Sequence, residues 1–210
     1  TIMNNHADIL RKAVSSCGSG LTGFKLVVDG SDVYTLEAAD DHAAFHPVPL
    51  NKNYTFSSFV VSGGTKFVYA AAKAVAENPG ESFNPLFIYG PSGLGKTHLL
   101  YAITNEVQKK KPDVNIIYIK GEDFTNQFIE ALGASMISEF RNKYRSCDML
   151  LIDDIQFIEG KVSTQEEFFH TFNNLYEDHK QIILTSDRPP RDMKTLEDRL
   201  KTRFEWGLIA

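Results

Sequence analysis

The pattern of apolar and polar positions changes character near residues 35–49. Before that stretch, Ile9, Leu10, Ala13 and Val14 recur at helical spacing, and Gly18 and Gly20 break the pattern. The run Phe24-Lys25-Leu26-Val27-Val28, ended by Asp29-Gly30, then reads as one strand and a turn. One helix and one strand cannot bury a core alone, so residues 1–34 are expected to be part of a small α/β N-terminal domain. Residues 35–49 mix acids, histidines, alanines and two prolines without periodicity, which predicts a linker.

From Tyr54 onward, strand-like and helix-like patterns alternate, the order expected of a mostly parallel sheet covered by helices. The runs at 86–89, 116–119, 149–152 and 182–184 are short and uniformly apolar, as strands buried on both faces should be. Helical patterns cover 67–77, stopped by Asn78-Pro79-Gly80, and 97–107, with Leu100, Ile103 and Val107 on one face. A further helix carries Phe168, Phe172, Leu175 and Tyr176, and Thr164 with Glu167 three residues later predicts a capping-box start for it. Residues 207–210 read as a fifth strand.

Composition narrows the function classes. Apolar residues make up 42% of the 210 residues, which is ordinary for a globular chain, and 22 Lys+Arg against 27 Asp+Glu give a net charge of -5. That balance argues against nucleic-acid binding over the whole surface, so any DNA contact must be local. Cys17 and Cys147 lie far apart and in no metal-like spacing, so free thiols and a cytoplasmic location are expected. No apolar run reaches membrane-spanning length, and the N-terminus lacks the order of a secretory signal.

The sharpest chemical signal is Gly90-Pro91-Ser92-Gly93-Leu94-Gly95-Lys96-Thr97, a complete Walker A loop between a buried strand and an amphipathic helix. Gly90, Gly93 and Gly95 let the backbone turn its N–H groups toward a β-phosphate, and the following helix adds the positive end of its dipole. Lys96 supplies a charge for the β- and γ-phosphates, and Thr97 a hydroxyl for Mg2+. These residues predict binding of a nucleoside triphosphate such as ATP together with magnesium. His98 reads as a helix residue near the site without chemistry.

Downstream, Leu150-Leu151-Ile152-Asp153-Asp154 ends an apolar strand in two carboxylates, at the edge where open α/β sheets place ligands. In isolation such a run also describes a strand leaving the core; beside a Walker A loop, Asp153 is expected to bind magnesium and Asp154 to orient or deprotonate the attacking water. Thr185-Ser186-Asp187 follows the fourth strand and should emerge on the same edge, or else form a turn before Pro189-Pro190. Arg199 and Arg203 stand at i and i+4, on one helix face, either solvated or available to a transferring phosphoryl group.

Six strings together resemble the DnaA family of bacterial replication initiators, within the AAA+ ATPases: Tyr54-Thr-Phe-Ser-Ser-Phe-Val-Val61, Asn84-Pro-Leu-Phe-Ile-Tyr-Gly90 with the loop after it, Leu150-Leu-Ile-Asp-Asp-Ile-Gln-Phe157, Gln165-Glu-Glu-Phe-Phe-His-Thr-Phe172, Ile183-Leu-Thr-Ser-Asp-Arg188 and Glu197-Asp-Arg-Leu-Lys-Thr-Arg-Phe204. The resemblance covers residues 50–210. It implies a P-loop NTPase (AAA+) parallel sheet of order 5-1-4-3-2, a weak ATPase acting as a switch, and ATP bound between subunits. It also implies Asp187 as the sensor-1 residue, and Arg203 as the arginine finger offered to the next subunit's ATP, with Arg199 in the same interface. ATP-loaded protomers of the family assemble as homo-oligomers on the replication origin and open the duplex, and hydrolysis switches them off.

For single-stranded DNA the resemblance implies Ile129 and Lys161, while Ser163 departs from the arginine that some members carry. Ile129 as a packed residue beside Phe128 and Leu132, and Lys161 as an ordinary loop lysine, remain alternatives. Through the N-terminal domain the family contacts the replicative helicase and regulators, and the full-length family also meets acidic lipid. Its lid, with a second sensor arginine, and its helix-turn-helix reader of duplex DNA have no counterpart in residues 1–210, so duplex recognition is assigned to no residue here. A helicase loader or regulatory relative, its switch controlling a protein partner, would share the Lys96, Asp153 and Arg203 set. A P-loop kinase would need an acceptor pocket and a basic lid, for which the sequence offers no support.

Overall fold

The computed structural model describes residues 51–210 in full and the backbone of residues 23–28 and 32–37; the helical pattern at Ile9 to Val14, the linker after residue 37 and Cys17 lie outside the described residues. The chain divides into two compact units, Thr1–His46 and Pro47–Ala210. In the first, β1 (Gly23–Val28) pairs antiparallel with β2 (Asp32–Glu37), from Gly23↔Glu37 to Val28↔Asp32. The expected single strand is therefore one arm of a hairpin, and the second arm extends through residues 35–37, which the sequence pattern placed in the linker.

The second unit is built on a five-stranded parallel sheet of β3 (Leu86–Tyr89), β4 (Ile116–Lys120), β5 (Met149–Asp153), β6 (Gln181–Ser186) and β7 (Leu208–Ile209), in the order β4-β5-β6-β3-β7. Numbered within the unit, this is the expected order 5-1-4-3-2. Alternate residues of each strand enter different cores. Leu86, Ile88, Ile116, Met149, Leu151 and Ile183 meet α1 (Lys66–Glu77) and α2 (Lys96–Lys110) on one face. Phe87, Ile117, Ile119, Leu150, Ile152, Ile182 and Leu184 meet α3 (Gly121–Gly133), α4 (Ile137–Arg145), α5 (Val162–Glu177) and α6 (Asp198–Phe204) on the other. Burial on both faces explains the unbroken apolar runs.

The capping box at Thr164 is not formed. Helix α5 begins two residues earlier, at Val162, with Lys161 as its N-cap and no side-chain cap. Thr164 is buried inside the first turn, and Glu167 is committed elsewhere: its side chain, only 4% exposed, accepts hydrogen bonds from Arg141 and from Arg145 at 2.6 Å. A buried carboxylate needs such partners, which here tie α4 to α5.

Candidate functional site: a phosphate loop facing a buried aspartate

Parallel register brings the carboxyl ends of the strands to one edge, pairing Lys120 with Asp153 and Tyr89 with Ser186. The loop after β3 is anchored there by the Gly90 N–H, which donates to the Ser186 carbonyl at 3.1 Å. Gly95 is the N-cap of α2 at φ 90, a left-handed conformation that favours glycine. A Cβ at Gly95 would also sit 2.9 Å from the Phe59 ring, so the turn admits no side chain. Lys96 Nζ donates to the carbonyls of Gly90 at 2.7 Å and Pro91 at 3.2 Å, which holds the ammonium over its own loop.

Asp153 is 2% exposed and surrounded by hydroxyls. Its Oδ2 accepts from Thr97 at 2.7 Å and from Tyr118 at 3.0 Å, and its Oδ1 accepts from Thr185. Burial, and then the Asp153 charge, push the Tyr118 hydroxyl well above its usual range, so Tyr118 remains a donor at any physiological pH. Tyr118 belongs to none of the sequence motifs, although a hydroxyl midway along an apolar strand is a detectable signal. The expected pair of Thr97 and Asp153 is in contact, as a hydroxyl and a carboxylate oxygen, a donor set that suits the hard, partly hydrated Mg2+ ion. Among the described residues no group of three or more His, Cys, Asp or Glu could hold a metal unaided.

Asp154 leaves the strand in a left-handed conformation, φ 56, and its N–H donates to Thr185 Oγ1 at 2.9 Å. Its Oδ1 accepts from Gln156 at 3.2 Å, so the two neighbouring acids have separate environments. Asp187 follows β6 and is held by Arg188, whose Nε and Nη2 donate to its two oxygens at 2.8 and 2.9 Å. That pairing keeps the Asp187 carboxyl below its ordinary range. Arg188 thus adds an arginine at this sheet edge beyond the expected Arg199 and Arg203.

The remaining expected residues are placed on other elements. Arg199 and Arg203 lie on α6; Arg199 Nε donates to Glu197, and Arg203 Nε to Asn173 of α5 at 2.8 Å. Ile129 is 58% exposed on α3 while Phe128 beside it is buried, so the packed alternative for Ile129 does not hold. Lys161 is exposed at the start of α5. His98 does more than occupy a helix: its Nε2 contacts the Thr55 carbonyl at 2.8 Å, and its ring lies between those of Tyr54 and Phe59, fixing the segment before α1 onto α2.

Comparison with known proteins places the chain in a family. The family model described as the bacterial DnaA ATPase domain matches residues 50–210. The chromosomal replication initiator protein DnaA of Thermus thermophilus is 51% identical over all 210 residues; the chain spans about half, 48%, of that relative's length. Domain III of the Thermotoga maritima replication initiation protein DnaA superposes with a TM-score of 0.75 at 50% identity, covering 77% of this chain and 68% of that one. A replication initiator DnaA solved with AMPPCP and single-stranded DNA superposes with a TM-score of 0.74 at 48% identity, covering 77% of this chain and 50% of that one. The DnaC helicase loader, 16% identical with a TM-score of 0.66 over 75% of this chain and 96% of its own, shares the fold. From the match over residues 50–210, and from identity of about half along the whole chain, this protein belongs to the family of bacterial DnaA replication initiators with their ATPase domain.

Proposed function

We propose that residues 50–210 are the nucleotide switch of a chromosomal replication initiator, acting in the cytoplasm. ATP binds at Gly90, Gly93, Gly95, Lys96 and Thr97, with Thr97 and Asp153 holding Mg2+. The ion, when bound, screens charge on the β- and γ-phosphates. Lys96 moves from its loop carbonyls to the phosphates, Asp154 orients water for a slow hydrolysis, and Asp187 senses the γ-phosphate. ATP-bound protomers self-assemble, with Arg203 and Arg199 presented to a neighbour. The assembly holds single-stranded origin DNA through Ile129 and Lys161 and promotes duplex opening, and hydrolysis ends the active state. Residues 1–34, followed by the linker, serve contacts with a replicative helicase or regulators, and the full-length protein also meets acidic lipid.

The observation that carries this reading is the Thr97–Asp153 contact at the foot of a complete phosphate loop. An exposed Ile129 supports the DNA assignment, because a large apolar side chain left in water is available to a base or sugar. A loader that acts only on a protein partner has the same fold, and an exposed apolar residue would serve that contact as well. The test is sedimentation of the intact protein with ATP or ADP, with and without single-stranded DNA. Lys96→Ala should abolish nucleotide binding; Arg203→Ala should bind ATP and fail to assemble, and assembly at the parent level would remove the finger assignment.

A further inference from the structure

The two arginines of α6 sit in opposite electrostatic settings. Arg199 donates through Nε to the Glu197 carboxylate, so its charge is neutralised on its own element. Arg203 donates through Nε to a neutral acceptor, the Asn173 Oδ1, at 2.8 Å, and no ion pair to Arg203 is formed among the described residues. Its guanidinium instead lies 3.7 Å over the Trp206 ring; the Phe169 ring, 5.4 Å away, is nearer to Arg199, at 4.4 Å. Trp206 is braced in turn by Tyr176 at 4.9 Å, and Tyr176 stacks on the buried Phe172.

A guanidinium that must meet a phosphate has two requirements. It needs a fixed plane, because bidentate recognition depends on orientation, and it needs an uncompensated charge. A carboxylate partner would fix the plane at the expense of the charge. A ring face and an amide oxygen fix the plane and leave the charge intact. The Nη1 and Nη2 groups of Arg203 have no hydrogen-bond partner among the described residues, while Nε is held. They keep the fork that a triphosphate would accept.

We propose that Asn173 and Trp206 are positioning residues that hold Arg203 flat and charged for a neighbouring protomer's triphosphate. The inference rests on reading Arg203 as the finger. Asn173 is the discriminating position: Asp has the same shape and keeps an acceptor for Nε, but adds a carboxylate at hydrogen-bond distance.

The experiment compares Asn173→Asp, Trp206→Phe, Trp206→Leu and Arg203→Ala in the intact protein, measuring ATP binding by isolated protomers, ATP-dependent assembly and ATP hydrolysis in the assembled state. Asn173→Asp should bind ATP as the parent does and lose at least about tenfold in assembly and hydrolysis. Trp206→Phe retains a ring face and should remain within about threefold. Trp206→Leu should lose about tenfold, the size of a partly desolvated cation–π contact. If Arg203→Ala abolishes assembly while Asn173→Asp matches the parent, the positioning role is wrong and the finger stands. If Arg203→Ala assembles like the parent, the finger reading itself is wrong. Should Asn173→Asp fail to fold, the Trp206 pair decides: equal behaviour of Phe and Leu overturns the proposal.

Discussion

Thr185→Val isolates the hydroxyl that joins the two halves of the acidic strand end. Thr185 is fully buried on β6; its Oγ1 donates to Asp153 Oδ1 and accepts the Asp154 N–H at 2.9 Å. Valine has nearly the same shape, so no cavity is created and the change is purely polar. A hydrogen bond to a charged group is worth about 1.5–3 kcal/mol, and a backbone N–H left without its partner adds about 1 kcal/mol. Asp153 keeps two donors, Thr97 and Tyr118, which moderates the loss to about 2–3 kcal/mol overall. For a unit of this size that corresponds to a fall in melting temperature of roughly 5–10 °C. Urea or thermal unfolding of the chain without nucleotide measures it directly. Tyr118→Phe provides a cross-check: it removes a donor to the same carboxylate, so the double variant should deviate from additivity by more than about 0.5 kcal/mol. A Thr185→Val protein within about 0.5 kcal/mol of the parent, or strict additivity with Tyr118→Phe, would refute the claim that these hydroxyls hold Asp153 as one cluster.

Gly121 opens α3, and a Cβ there would lie 2.6 Å from the Asp154 carbonyl oxygen and 3.3 Å from Ile155 Cα. Gly121→Ala should therefore destabilise by about 1–3 kcal/mol and slow ATP hydrolysis by displacing Asp154; unchanged stability and turnover would contradict that contact. Cys147 is buried, and burial pushes its thiol up to about 12, so alkylation at pH 8 should be slow in the folded chain and fast in urea. Because the folded value lies above the ordinary one near 9.0, the neutral thiol's stabilisation is complete below that pH and is lost as pH rises toward about 12. Alkylation of Cys147 at the rate of an exposed thiol, read by mass spectrometry, would contradict its burial.

What could be read from the chain depended on how local each feature is. The phosphate loop is a contiguous string, and strands buried on both faces announce themselves as unbroken apolar runs. Helices α3 and α4 are not among the helices expected from sequence; α4 is nine residues long and mostly polar, and buries only Phe140 and Tyr144. The hairpin arm β2 alternates weakly, and its residues 35–37 merge in sequence with the acid- and alanine-rich stretch that follows. The false capping box shows the opposite failure: Thr164 and Glu167 satisfy a local pattern, but Glu167 is claimed by Arg141 and Arg145 from an element earlier in the chain. Likewise the donors around Asp153 come from three elements: β4 and β6 flank β5 in the sheet, and α2 follows β3, which the sheet places out of sequence beyond β6.

The central claim is that ATP bound at Lys96 of one protomer is completed by Arg203 of the next. Mixing two inactive variants of the intact protein, Lys96→Ala and Arg203→Ala, tests it most directly, with ATP hydrolysis on single-stranded DNA as the readout. The first keeps its arginine and the second keeps its nucleotide site, so each alone should be inactive and the mixture should regain hydrolysis at their shared interface. A mixture as inactive as its components, or an Arg203→Ala protein that hydrolyses ATP by itself at the parent rate, would contradict it.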